Sequence, residues 1–184
     1  MSLLKAKILV LSLLLVLSCS NDDTPTNGTT YTQDTLISGE SITTSKSLNI
    51  DQNNRDYILY IPKNYNSSMQ YPLVINFHGF GGEANEFMSY ADMRQLADDQ
   101  KFIVIYPQGA YESGFSSWNP CPNGGDNKST SDDFGFVEGI INTTASEYNV
   151  DLSRVYAVGY SNGGMMAYGL ANHRSHLIAA IASV

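Results

Sequence analysis

From Leu36 onward the chain alternates between short apolar runs and stretches with helical spacing. "SITTSKSLNI" and "RDYILYIP" read as strands, the second ended by Pro62, and "YPLVINF" is a continuous apolar run expected of a strand buried on both faces. "ANEFMSYADMRQLADDQ" predicts one helix opened near Asn85, with Phe87, Tyr90, Ala91, Met93, Leu96 and Ala97 as its apolar stripe. "FIVIYP" is the next buried strand, and a polar loop from Gln108 to Ser131 holds the single tryptophan, Trp118. Asp132 or Asp133 can cap a helix in which Phe134, Val137, Ile140, Ile141 and Tyr148 recur at helical spacing. "RVYAV" predicts a strand, "GGMMAYGLANH" a helix and "LIAAIASV" a final strand. Strands that are apolar throughout and alternate with helices predict an α/β domain with a mainly parallel sheet flanked by helices.

The first 35 residues break this pattern. Lys5 and Lys7 precede an apolar run from Ile8 to Leu17, followed by Ser18 and Cys19. Ten residues fall short of the roughly 20 that a spanning helix needs, so residues 1–18 are expected to be a signal peptide. The string "VLSC" resembles a bacterial lipobox, which would make Cys19 a lipidated membrane anchor. An ordinary secretory signal with an incidental cysteine is the alternative. Residues 19–35, rich in Asn, Asp, Thr and Gly, are expected to form a flexible tether to a domain over 36–184. The formal charge of −8 and the lack of a basic stripe argue against nucleic acid as a partner.

The candidate chemistry lies at two glycine-rich corners. "GYSNG", Gly159 to Gly163, has the G-x-S-x-G form of a nucleophile elbow, with an apolar strand before it and helix formers after it. A sharp strand-to-helix turn would lift the Ser161 hydroxyl clear of the sheet, and it requires small residues two positions to either side. "FHGFGG", Phe77 to Gly82, follows a predicted strand and offers backbone amides at a close-approach loop. Phe80 and Asn162 are therefore the expected oxyanion-hole donors through their N–H groups, with Ser161 as the nucleophile. A histidine inside such a loop, His78, is expected to order it rather than to act as base. His173 lies twelve residues past Ser161 on one predicted helix, about 18 Å away, and His176 lies beyond it. No Asp or Glu follows Ser161. The nucleophile and oxyanion donors are thus expected here without the acid and base of a triad, and the pattern ends on a strand. The expectation is that this is the N-terminal portion of a longer domain, with a catalytically incomplete copy as the rival.

Taken in order, "RDYILYIPKNY", "YPLVINFHGFGG", "SSWNPC", the stretch from "SDDFGF" to "YSNGGMMAYGLA", and "LIAAIASV" resemble the polyhydroxybutyrate depolymerase and feruloyl esterase family of secreted α/β-hydrolases. The resemblance implies an α/β-hydrolase fold and a serine esterase working without metal or organic cofactor. Its substrates would be feruloyl or acetyl esters on plant polysaccharides, with polyhydroxybutyrate as the second class. It also implies that Trp118, with His78, borders the substrate cleft, and that Cys121 pairs with a cysteine outside this sequence. For Trp118, simple core packing is the alternative. Two rival functions are a peptidase and a non-catalytic, carbohydrate-binding surface lipoprotein; a tether leading directly into the hydrolase domain speaks against the former.

Overall fold

The computed structural model describes residues 39–122 and 128–184. The expected signal peptide, the Cys19 anchor and the tether of residues 19–35 lie outside the described residues.

The strands are β1 (Ile42–Ile50), β2 (Asn53–Ile61), β3 (Tyr71–Phe77), β4 (Ile103–Pro107), β5 (Ala110–Glu112), β6 (Phe115–Ser117), β7 (Val150–Gly159) and β8 (Ala180–Ser183). The helices are α1 (Ala84–Tyr90), α2 (Arg94–Gln100), α3 (Asp133–Glu147) and α4 (Asn162–His173). Six strands form one sheet in the order β1-β2-β4-β3-β7-β8. Its β4-β3-β7-β8 portion is parallel, and β1 and β2 join as an antiparallel extension. The non-sequential order places the ends of β3 and β7 side by side, which brings the two glycine-rich corners together.

The solid apolar runs resolve into two interleaved sets. Tyr57, Leu59, Ile61, Leu73, Ile75, Phe77, Ile103 and Ile105 pack with Trp118, α3 and α4 on one face. Ile58, Tyr60, Val74, Val104 and Tyr106 pack with α1 and α2 on the other. Successive strand residues point to opposite faces, so a strand covered on both sides must be apolar throughout.

The structure corrects three expectations. The single helix predicted after the "HGFGG" loop is two short ones, because the buried Tyr106 hydroxyl enters the break: it accepts from Met93 N (2.8 Å) and donates to Ala91 O (3.1 Å). Asp92 then accepts from Arg94 N (2.9 Å), a local start signal for α2. α1 opens beside Asn85 as expected, with Glu83 as an N-cap that makes no side-chain bond and the Gln108 side chain accepting from Ala84 N at 2.8 Å. Tyr90 and Leu96, expected in the apolar stripe, are exposed, since each short helix buries a narrower face. Finally, the polar loop contains the β5–β6 hairpin, and only Ala180–Ser183 of the final apolar run is strand.

Candidate active site

Ser161 stands at the junction of β7 and α4 with φ 53° and ψ −116°, a backbone conformation that costs a non-glycine residue about 1–3 kcal/mol. The surroundings enforce it. A Cβ on Gly159 would lie 2.2 Å from the Gly163 carbonyl carbon, and one on Gly163 would lie 2.3 Å from Phe77 O and 2.5 Å from His78 O. Either contact is impossible without moving backbone, so the first and last glycines of "GYSNG" are steric requirements. Tyr160 N donates to Phe77 O (3.1 Å) and Ser161 N to Val184 O (2.7 Å), which ties the corner to the strand end on either side. Ser161 occupies the N-cap position of α4, yet its hydroxyl makes no capping bond and is exposed.

The loop from His78 to Gly82 lies against this corner: a Cβ on Gly79 would sit 3.5 Å from Ser161 Cβ and 3.1 Å from the Tyr160 ring. Among the described residues, the backbone amides of Phe80 and Asn162 have no protein acceptor. They are the two donors expected from the sequence, and both belong to segments in contact at Ser161.

Three side chains hold the segments in register. Asn162, 2% exposed, accepts from Trp118 N through Oδ1 (2.8 Å) and donates from Nδ2 to Trp118 O (3.2 Å). The Trp118 indole N–H donates to His78 O (2.8 Å), and its rings pack edge-on to Phe77 at 5.1 Å. The buried His78 accepts from Gly109 N at Nε2 (2.9 Å), which leaves Nδ1 as the donor to Gly79 O (2.7 Å). Burial lowers the pKa of this imidazole, the Gly79 bond opposing only in part, so the neutral Nδ1–H form is favoured. A chain of contacts thus runs from the elbow through Trp118 to the oxyanion loop.

Beneath it, Asp133 is fully buried and accepts from Arg55 (2.5 Å) and from Asn119 N (2.6 Å), while Arg55 lies 4.4 Å from the centre of the Phe136 ring. Burial raises the pKa of this carboxyl, with Arg55 opposing the rise. Of the two candidate caps, Asp132 takes that role by accepting from Gly135 N (2.8 Å). Asp133 instead locks the segment carrying Trp118.

The two side chains that the resemblance implies at the substrate border both turn inward, Trp118 as in the core-packing alternative and His78 as the loop-ordering histidine expected. Trp118 is fully buried beneath the loop, so it packs and donates inward rather than forming an aromatic wall. His78 likewise has both ring nitrogens committed to backbone partners and faces no cleft. His173 ends the unbroken α4, about 18 Å from Ser161 by helical rise, with its ring edge-on to Phe134; it and His176 are exposed. Cys121 is half-buried and free. The Asn162 side-chain clamp and the Arg55–Asp133 pair escaped sequence reasoning because both span large separations; the doubled acid of "SDDFGF" was the only local signal.

Solved structures share this fold. An acetyl xylan esterase from Aspergillus awamori superposes with a TM-score of 0.59 at 25% identity, over 75% of this chain and 50% of its own. A thermostable esterase gives 0.61 at 23% identity, over 76% and 40%. The fold is that of the α/β-hydrolases. Among curated proteins, a bifunctional acetylxylan esterase/xylanase of Neocallimastix patriciarum is 35% identical over 128 residues, which is 70% of this chain and 17% of that protein. Feruloyl esterase B of Thermothelomyces thermophilus is 33% identical over 114 residues, 61% of this chain and 38% of that protein. The chain spans half or less of the length of the curated relatives it matches. Residues 55–183, which contain both glycine-rich corners and the clamp between them, match the esterase PHB depolymerase family, and the chain belongs to that family.

Proposed function

We propose that this chain carries the nucleophile and oxyanion hole of a serine carboxylic-ester hydrolase acting on feruloyl or acetyl esters of plant polysaccharides, with polyhydroxybutyrate as a second substrate class. The observation that carries the reading is the strained, exposed Ser161 beside two backbone amides, those of Phe80 and Asn162, without protein acceptors among the described residues. Ser161 Oγ attacks the ester carbonyl carbon while its proton passes to a general base. The carbonyl oxygen gains negative charge and is received by the two amides, each such donor being worth about 3 kcal/mol. Collapse expels the alcohol and leaves an acyl-serine, which water then hydrolyses. None of the three histidines supplies the base from the position it occupies. His78 is sequestered beneath the loop, and His173 and His176 lie at the far end of α4.

Export belongs to the same reading and rests on the Lys-flanked apolar run of residues 1–18. Lipid attachment at Cys19 rests on the "VLSC" string. The substrate class rests on the acetylxylan and feruloyl esterases to which the chain is similar.

Hydrolysis of 4-nitrophenyl acetate and methyl ferulate by wild type and Ser161→Ala is the test. Loss of turnover by roughly 10³-fold or more is expected in the variant, and equal rates in the two proteins overturn the proposal.

A further inference from the structure

We propose that Phe80 and Phe115 form a stacking platform for the planar aromatic acyl group of the substrate, which selects hydroxycinnamoyl over acetyl esters. This rests on the ester-hydrolase reading and deepens it. The two rings lie 5.3 Å apart with planes inclined by 31°. Each is about half exposed, 48% for Phe80 and 54% for Phe115. Phenyl groups this large normally enter a core, and these two instead pack on one another at the surface, Phe80 following the Gly79 that lies against the Ser161 corner.

Their position follows from the backbone. Phe80 is the residue whose amide is assigned to the oxyanion, so its ring leaves the Cα bonded to the nitrogen that would hold the substrate oxygen. Phe115 opens β6 of the β5–β6 hairpin, which is fastened to the oxyanion loop by Gly81 N donating to Ser116 O (2.7 Å) and Ser116 Oγ donating to Gly82 O (2.5 Å). Ser116 is buried, and Tyr111, paired with Ser116 across the hairpin, is bonded to Glu83. The platform is therefore held in place before any ligand arrives. The loop's Gly79 also meets the Tyr160 ring, itself 6.5 Å from the exposed Tyr90, so aromatic surface continues past Ser161. An acetyl group has no face to offer these rings; a hydroxycinnamoyl group is flat and offers its whole face.

The test is equilibrium binding of methyl ferulate, a neutral ester chosen because the chain carries a formal charge of −8. Binding is measured on Ser161→Ala, so that the result does not depend on turnover, with methyl acetate as the comparison. Saturable binding of methyl ferulate is expected. It should weaken about five- to tenfold in Ser161→Ala carrying Phe115→Ala and recover with Phe115→Tyr, while methyl acetate binding stays unchanged. Phe115 is half exposed, so its replacement leaves the core intact, and an unchanged thermal transition verifies this for each variant. Equal methyl ferulate affinity with and without the Phe115 ring, equal weakening for both esters, or no saturable methyl ferulate binding would overturn the proposal. Failure of the hydrolase reading shows separately, as wild-type turnover that Ser161→Ala does not reduce.

Discussion

The two faces of the sheet are finished to different degrees. On the α3/α4 face, Trp118, Phe77, Phe136 and the strand residues facing them are excluded from solvent, and the polar groups among them are paired: Arg55 with Asp133, Asn162 with Trp118, and Trp118 with His78. On the α1/α2 face, the helices cover β2 and β4. Pro72, Val74, Leu96, Tyr156, Val158 and Ala182 border an open apolar groove of about 440 Å³ over β3, β7 and β8. The candidate active site is built from the first face. An oxyanion hole needs two donors from different segments held at a fixed spacing, and dense packing with saturated hydrogen bonds supplies that rigidity. The open face carries none of the residues that fix the site.

This contrast predicts large penalties on one face and small ones on the other. Asp133→Asn leaves the buried Arg55 guanidinium without its counter-charge, and a loss of about 3–5 kcal/mol in denaturant unfolding is expected. A loss below about 1 kcal/mol would mean that the pair is not what locks the Trp118 segment. Asn162→Ala removes both bonds to the Trp118 backbone and strands a buried N–H, for about 1–3 kcal/mol. In the ester assay this variant should lower kcat more than it raises KM, because the Asn162 amide would remain in place but lose its fixed spacing to Phe80.

Acid should act on the same face. Burial depresses the folded-state pKa of His78, so below about pH 6.5, the ordinary value for a histidine, the unfolded chain binds the proton more readily than the folded one. The His78 contribution to stability is therefore fully present above that pH and declines as pH falls toward the depressed folded value. Protonation would also place an N–H at Nε2 against the Gly109 N–H. Thermal unfolding between pH 7.5 and pH 5 should show a drop that His78→Gln flattens, and an identical slope in the variant would exclude this group as the source. The smallest effect is expected on the open face. Leu96→Ser, at a half-exposed helix position beside the groove, should cost no more than about 1 kcal/mol by chemical denaturation. A loss as large as that of Asp133→Asn would erase the difference between the faces.

Much of this was legible in the chain. The order of strands and helices followed from apolar runs and helical spacing. The elbow could be read because its requirement is local: a serine at a positive φ, flanked two residues away by glycines with no room for a side chain. The break between α1 and α2 was not legible, because Tyr106, thirteen residues beyond Met93, supplies the hydrogen bonds that make it stable. Trp118 shows the same limit from another side. Its neighbours in "SSWNPC" are polar and left a cleft position and core packing both open, and its indole meets Phe77 and His78, some forty residues away, and is wholly buried.

The sequence by itself determined the fold class and pointed to the candidate nucleophile and its two candidate backbone donors, since these depend on periodicity and on steric demands within a few residues. Only the tertiary structure decided what holds them together. The Asn162 clamp, the inward-facing tryptophan, the sequestered His78 and the Arg55–Asp133 pair join groups 31 to 78 residues apart. Their hydrogen bonds exist only once the parallel pairing of β3 with β7 has brought the two corners side by side, and no local pattern along the chain encodes that meeting.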